Sequence, residues 1–305
     1  MIYFILQGGS DMITFLQLDY FRKLAATEHI TKTAQELHIS QTALSSMIIN
    51  LEKELNVQLF DRSKRTIRLN KAGQIYLKYV NEVFAALDNG RAAVQDMGSN
   101  KGQAVRLATG SSSVWLSLFH DFCKKHPKHT LKQSNYTVPQ LIKALQEMTV
   151  DFVIAGENDL PVDDVEKTWF KQAAVYICVS QTHPLADREF IYMEELRDEN
   201  FISLNEASPW RSYCNRLFKQ AGYIPNIVLE CDYTLRAALI ESNFGIALTS
   251  ASAQEADLLK PNKYIRIADE YATRNMYLYR NPNRYLSSAA KDFLEFCVDY
   301  YKLDT

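Results

Sequence analysis

The sequence predicts an α/β protein overall: an N-terminal all-α winged helix-turn-helix, a long linker helix, then a domain of alternating strands and helices. Three observations carry that prediction. Residues 40–52, SQTALSSMIINLE, read as a helix with one apolar face and one short polar face. A basic ribbon follows, in which Arg62, Lys64, Arg65, Arg68 and Lys71 stand with no acid between them. From residue 105 the helical period gives way to strands alternating with helices.

The helix at 40–52 opens on Ser40, whose side-chain oxygen suits an N-cap. Ala43, Leu44, Met47, Ile48 and Leu51 are expected on its buried face; Gln41, Thr42, Ser45, Ser46 and Asn50 form the other. These are short, uncharged donors and acceptors that approach base edges or phosphates without desolvating a charge. Residues 31–38 make a second short amphipathic helix, starting at Thr31, with Ala34 and Leu37 inward. Only a tight turn fits between the two, so the pair reads as a helix-turn-helix with its second helix in a major groove. Residues 65–70, RTIRLN, alternate like a strand, and the basic ribbon reads as a wing gripping phosphate or entering the minor groove. A scaffold helix at 16–28 precedes the motif, with Leu18, Phe21, Leu24 and Ala25 inward. After the wing, apolar residues in steps of three and four from Ala72 to Met97 indicate a long helix that pairs with another. Residues 98–102, GSNKG, read as a hinge.

Residues 13–77 closely resemble the DNA-binding domain of LysR-type transcriptional regulators. Leu16, Phe21, Ala34, Leu37, the Ser40–Gln41 pair, Ser45, Leu51–Glu52, LFDR at 59–62 and Ala72–Gly73 carry the resemblance. The chain departs from the usual pattern at His29 (for a capping Ser), Thr33 (for Ala), Asn56 (for Gly) and Asn70 (for Thr). Asn tolerates the left-handed backbone and also caps helices, so the last two changes preserve the physics. Ser46, Met47, Ile49 and Asn50 make the recognition helix less basic than in many relatives. The resemblance implies a partner, double-stranded DNA, contacted by Thr31, Ser40, Gln41, Thr42, Ser45, Ser46, Asn50, Arg62, Lys64, Arg65 and Arg68. It also implies that the helix at 71–98 makes an antiparallel dimer contact, giving a homodimer or homotetramer.

In the C-terminal part, strands are expected at 105–110, 131–137, 151–156, 175–180, 226–230, 245–250 and 276–279. Helices are expected at 114–125, 139–148, 208–221, 235–242 and 287–301. This order resembles the family's effector domain, two Rossmann-like lobes like those of periplasmic binding proteins. The implied domains are 12–70 (DNA binding), 71–98 (linker and dimerisation) and 103–305 (effector binding). Lobe 1 would be 103–175 with 268–305, and lobe 2 176–267. A small-molecule effector would sit in the crevice where strand C-termini and helix N-termini converge. Gly110, Ser111 and Ser112, between strand and helix, present amides and hydroxyls suited to an anion. Thr137, Asn205, Ser208 and Thr234 hold similar edge positions; Trp210 and Arg211 offer a stacking face and a cation to the pocket or to a subunit contact.

Length and 47 % apolar content suit about two cored domains. The net charge of −2 does not announce nucleic acid, but residues 12–75 hold nine Lys/Arg against six acids. DNA affinity is therefore expected from a few phosphate contacts per protomer, strengthened by dimerisation. Residues 1–11 resemble neither a signal peptide nor a membrane span, and Met12 is expected as the true start, Gly8–Gly9 being translated ribosome-binding sequence. A cytoplasmic location and reduced cysteines follow, with no membrane partner. No phosphate-binding Gly loop, GxSxG elbow or HExxH occurs, so no enzyme and no cofactor is expected. His120, Cys123, His126 and His129 recur every three residues; that step rotates around a helix and Pro127 interrupts it, so no metal is assigned. Two other readings stay open. One is a ligand-binding module with vestigial DNA binding; the other is a redox regulator using Cys214 and Cys231.

Overall fold

The computed structural model describes residues 13–62, 66–98, 104–256 and 258–301. The expected start at Met12, hinge residues 99–102 and the wing residues Lys64 and Arg65 lie outside them. The chain divides into two compact units, up to Asp88 and from Asn89.

In the first unit, α1 (Phe15–Thr27) begins with a reciprocal capping box between Thr14 and Gln17. It is followed by α2 (Ile30–Glu36), α3 (Gln41–Glu54), a two-stranded wing β1 (Phe60–Arg62) and β2 (Ile67–Leu69), and α4 (Lys71–Gly98), whose last ten residues are counted with the second unit. His29 caps α2 through Nδ1, which accepts the Lys32 amide at 3.3 Å, so the histidine does the work of the missing serine. The turn between α2 and α3 is a Schellman motif: His38 takes φ 55°, and the Ile39 amide donates to the Ala34 carbonyl at 3.0 Å. Asn56 repeats it after α3, at φ 52°. Asn70 caps α4, its Oδ1 accepting the Gly73 amide at 2.9 Å. Phe21, Leu24, Leu44, Ile48, Leu51, Leu59 and Phe60 form the core, with Phe21 edge-on to Phe60 at 5.7 Å. A side chain at Gly73 would strike the Leu59 carbonyl and the Leu69 side chain, so only glycine lets α4 start this close to the wing.

One expectation is corrected here. Ala43 is exposed, not core, and Met47 is half-buried. The buried stripe is Leu44, Ile48, Leu51 and Glu52, and Ala43 lies one position outside its arc.

The second unit continues with β3 (Ala104–Thr109), a 3₁₀ turn (Ser113–Trp115), α5 (Leu116–Lys125), β4 (Thr130–Asn135), α6 (Val138–Gln146) and β5 (Phe152–Gly156). Next come β6 (Glu166–Val179), β7 (Phe190–Ile191), β8 (Asn200–Ser203), α7 (Pro209–Gln220), β9 (Asn226–Glu230), α8 (Tyr233–Glu241) and β10 (Ala247–Ser250). The chain then forms α9 (Ala251–Glu255), β11 (Lys263–Ile267), β12 (Thr273–Arg280) and α10 (Ser288–Tyr300).

Two sheets share β6. Its first half pairs antiparallel with β12, which continues through β5 and β3 to β4; its second half, from Val175, pairs with β10 and β11. A parallel bridge from Ile246 to Phe201 carries the second sheet on to the β8–β9 pair. Each sheet is covered on both faces. In β5, Phe152 and Ile154 face α5 and α10, whereas Val153 and Ala155 face α6. In β6, Val175, Ile177 and Val179 lie in the cluster that includes α7, and Cys178 lies with Ile240 of α8. Continuous burial along β5 is what a parallel-type strand with two covered faces requires. The two lobes are thus joined by β6 and by the segment entering β12.

Candidate DNA interface and interlobe cleft

Ser40 begins α3 and is committed to it: its Oγ accepts the Ala43 amide at 3.1 Å and lies 2.9 Å from Thr42 Oγ1. Gln41, Thr42, Ser46 and Asn50 are exposed along one side of the helix, Ser45 and Thr31 half-buried. No charged side chain interrupts that polar row, which suits hydrogen-bond readout of base edges.

The wing is anchored by two carboxylates. Buried Glu52 accepts the amides of Leu59 at 2.8 Å and Phe60 at 3.2 Å, and pairs with Arg62 at 2.9 Å. Glu28 accepts the Leu69 amide at 2.8 Å and faces Arg68 at 3.5 Å. Arg62 therefore has a structural task beside any phosphate contact. Arg68, 73 % exposed, keeps its guanidinium open to a backbone.

In the second unit, a narrow cleft of about 50 Å³ lies between the lobes. It is lined from lobe 1 by Thr109, Gly110, Ser111 and Trp115, and from lobe 2 by Ser208, Pro209, Trp210, Tyr233, Ser250 and Ser252, with Arg274 and Met276 from β12. Gly110, Ser111 and Ser208 thus come together as expected from their places at strand and helix ends. Trp210 joins them, its indole N–H donating to the Leu248 carbonyl at 3.1 Å. The other expected contacts do not line the cleft. Ser112 accepts from Asn135 at 3.2 Å, Thr137 is used in a capping box with Gln140, and Asn205 and Thr234 are exposed elsewhere. Residues 111–113 also enter a 3₁₀ turn, not an α-helix start, so the expected row of free helix amides is shortened. Arg211 is buried and spent on Glu230 at 2.9 Å.

Two arginines went unread in the sequence. Arg274 stacks over Trp210 and Tyr213, at 5.3 and 5.2 Å, and is ion-paired to the fully buried Asp159. Arg236, only 1 % exposed, stacks on Tyr233 at 4.6 Å and reaches the Leu248 carbonyl at 3.5 Å. Among the described residues its Nε and Nη2 have no hydrogen-bond partner, nor do the buried hydroxyls of Thr249 and Ser252. The signal was present: Arg236 interrupts the apolar stripe Tyr233–Ala237–Ile240, the buried face on which an unpaired charge is least expected.

Two family models match this chain: "Bacterial regulatory helix-turn-helix protein, lysR family" over residues 15–74, and "LysR substrate binding domain" over 100–302. The chain belongs to the LysR family of transcriptional regulators. Two Bacillus subtilis (strain 168) proteins, the transcriptional dual regulator GltC and the HTH-type regulator YybE, are each 28 % identical over 291 residues. The match covers 93 % of this chain in both cases, 96 % of GltC and 98 % of YybE. The fold is shared with full-length OxyR from Pseudomonas aeruginosa, at TM-score 0.72 and 20 % identity, covering 94 % of this chain and 95 % of that one. It is also shared with the LysR family regulator CbnR, at TM-score 0.63 and 19 % identity, covering 93 % and 98 %.

Within this LysR-type regulator Cys214 and Cys231, the pair considered for redox sensing, lie in surroundings that disfavour the thiolate. Burial pushes Cys214 and Cys178 each up to about 12, and raises Cys231 as well. A thiol held protonated is a poor nucleophile towards peroxide or disulfide. No helix among the described residues is long and apolar enough to cross a membrane.

Proposed function

We propose that the regulator reads its operator through Gln41, Thr42, Ser46 and Asn50, with Arg68 and the wing tip on phosphate. Its response would be set by a small anionic effector in the interlobe cleft. The observation that carries the effector reading is Arg236, a buried guanidinium with two uncommitted nitrogens stacked on Tyr233 of the cleft wall, a wall to which Ser252 adds an unpaired buried hydroxyl. Leaving such groups unpaired costs several kcal/mol, about 1–3 per polar group and more for a charge. A carboxylate or phosphate entering past Ser252 and Tyr233 would recover that cost. The chain order supports 12–70 as the DNA-binding part, 71–98 as linker and dimer helix, and 103–305 as the effector-binding part, in a cytoplasmic homodimer or tetramer.

Two experiments test this. Gln41→Ala with Thr42→Ala should abolish sequence-specific gel shifts on the DNA upstream of its own gene while leaving the melting temperature unchanged. Unaltered shifts would remove α3 from the readout. Thermal-shift screening of the full chain with small carboxylates and phosphate esters should find a ligand stabilising it by about 2.7 kcal/mol at a hundred times its dissociation constant. Ser252→Ala should erase most of that gain; a ligand indifferent to both Ser252→Ala and Arg236→Gln would place the site elsewhere.

A further inference from the structure

The geometry points to a divalent transition-metal site on lobe 1, formed by His126, His129 and Asp292 at the junction of α5 and α10. By sequence, the three-residue step rotates around a helix and Pro127 interrupts it, so these histidines are assigned no metal. In the structure that interruption is what brings them together. α5 ends at Lys125, His126 is its C-cap, and the His129 amide donates to the His126 carbonyl at 3.0 Å. His-Pro-Lys-His is therefore one tight turn, with proline at the position that presets its backbone. The turn places the two imidazoles on one side, stacked with ring centroids 5.7 Å apart and planes 16° from parallel. Phe122 stacks under His126 at 4.8 Å and holds that orientation.

Both rings address the same carboxylate from the facing helix. His129 Nε2 is 2.9 Å and His126 Nδ1 3.8 Å from Asp292 Oδ2, and the three donor atoms lie within 4.8 Å of one another. A cation about 2.0–2.1 Å from each donor in a tetrahedral site puts the donors about 3.4 Å apart, so the two ring nitrogens must close by up to roughly 1.4 Å while His129 and Asp292 open slightly. These half-buried side chains reach that by rotating about their χ angles on binding. Two imidazoles and one carboxylate suit zinc and its neighbours, not calcium or magnesium, which take oxygen donors. His120 and Cys123, the other members of the three-residue series, stay outside: both are exposed, and His120 instead pairs with Asp121 at 2.9 Å. A metal here would fasten the chain's returning C-terminal helix to lobe 1, independently of the interlobe cleft.

The test is a zinc titration of the untagged full-length protein in competition with a chromophoric chelator. Wild type should show one site, and Cys123→Ser should keep it. His129→Gln and Asp292→Asn should each weaken it by at least the roughly 10–100-fold that losing even an outer-shell partner of a metal ligand costs. Cobalt should give a visible d–d spectrum that the same two variants lose. Because either variant could loosen α10, circular dichroism and melting without metal are read alongside. Equal zinc affinity in wild type and in the His126→Gln/His129→Gln double variant overturns the proposal. So does an affinity that disappears with Cys123→Ser.

Discussion

Asp159 is the residue on which the two lobes lean most heavily. Its carboxylate is fully buried, accepts the Gly156 amide at 2.7 Å, pairs with Arg216 of α7 at 3.0 Å and is ion-paired to Arg274 of β12. Arg216 is 42 % exposed and regains water if released, but Arg274 is nearly buried between Trp210 and Tyr213. Removing the carboxylate leaves that guanidinium uncompensated, a defect that costs about 3–5 kcal/mol in buried pairs. Asp159→Asn should therefore lower the stability of the second unit by about that much in urea melts, and Arg216→Ala by far less. Equal losses would mean that the exposed pair, not the buried one, carries the contact. At this scale the sequence was legible where one residue solves a local backbone problem. Asn56 in a left-handed turn, Asn70 as a cap and Ser40 as a cap could each be read from the chemistry of the side chain alone. Arg236 and Arg274 could not, because their place depends on partners brought from distant segments.

Elements were legible in proportion to how far their pattern is local. The helices of the first unit and α4 lie close to where their periodicity puts them, and β9 coincides with its expected span. The first half of β6 was missed because the expected strand began only at residue 175, where the apolar run starts, after Lys167, Lys171 and Gln172. Lys171 is in fact buried, its charge answered by Glu255 at 2.7 Å from α9, a helix also missed. The strands β8 and β11 were missed too, being only four and five residues long. α4 shows the opposite case, a pattern too rich for one chain. Val80 and Ala85 are buried, yet Ile75, Tyr79, Val83, Leu87, Val94 and Met97 are exposed on the same helix. Steps of four from Ile75 to Leu87 make one continuous apolar stripe, the kind a helix keeps for a partner helix. Val83→Asp with Leu87→Asp should leave the helix content intact and shift the mass measured by light scattering to that of a monomer. A variant that remains oligomeric would assign this stripe to some other contact.

At the scale of the whole second unit, two lobes share two connecting strands, and what matters is how closely they approach across the cleft. Gly110, at the end of β3 in lobe 1, sets that distance. A Cβ built there would lie 2.7 Å from both Cγ and Cδ of Pro209, which opens α7 in lobe 2. Both obstacles belong to a rigid ring on the first turn of a helix, so neither can swing aside as a long side chain would. Gly110→Ala must therefore move one lobe relative to the other, and overpacking of this kind costs about 1–3 kcal/mol. The strain should appear at the connections. Hydrogen exchange should quicken in β6 near residues 174–175, where its partner changes from β12 to β10 and β11, and stay unchanged in β3, β4 and α6 inside lobe 1. The same substitution should weaken any ligand that bridges Ser111 and Ser208, since these residues face each other across the gap that the methyl group widens. If exchange rises only around residue 110 and ligand affinity holds, the loop absorbs the methyl locally, and lobe separation is not what Gly110 controls.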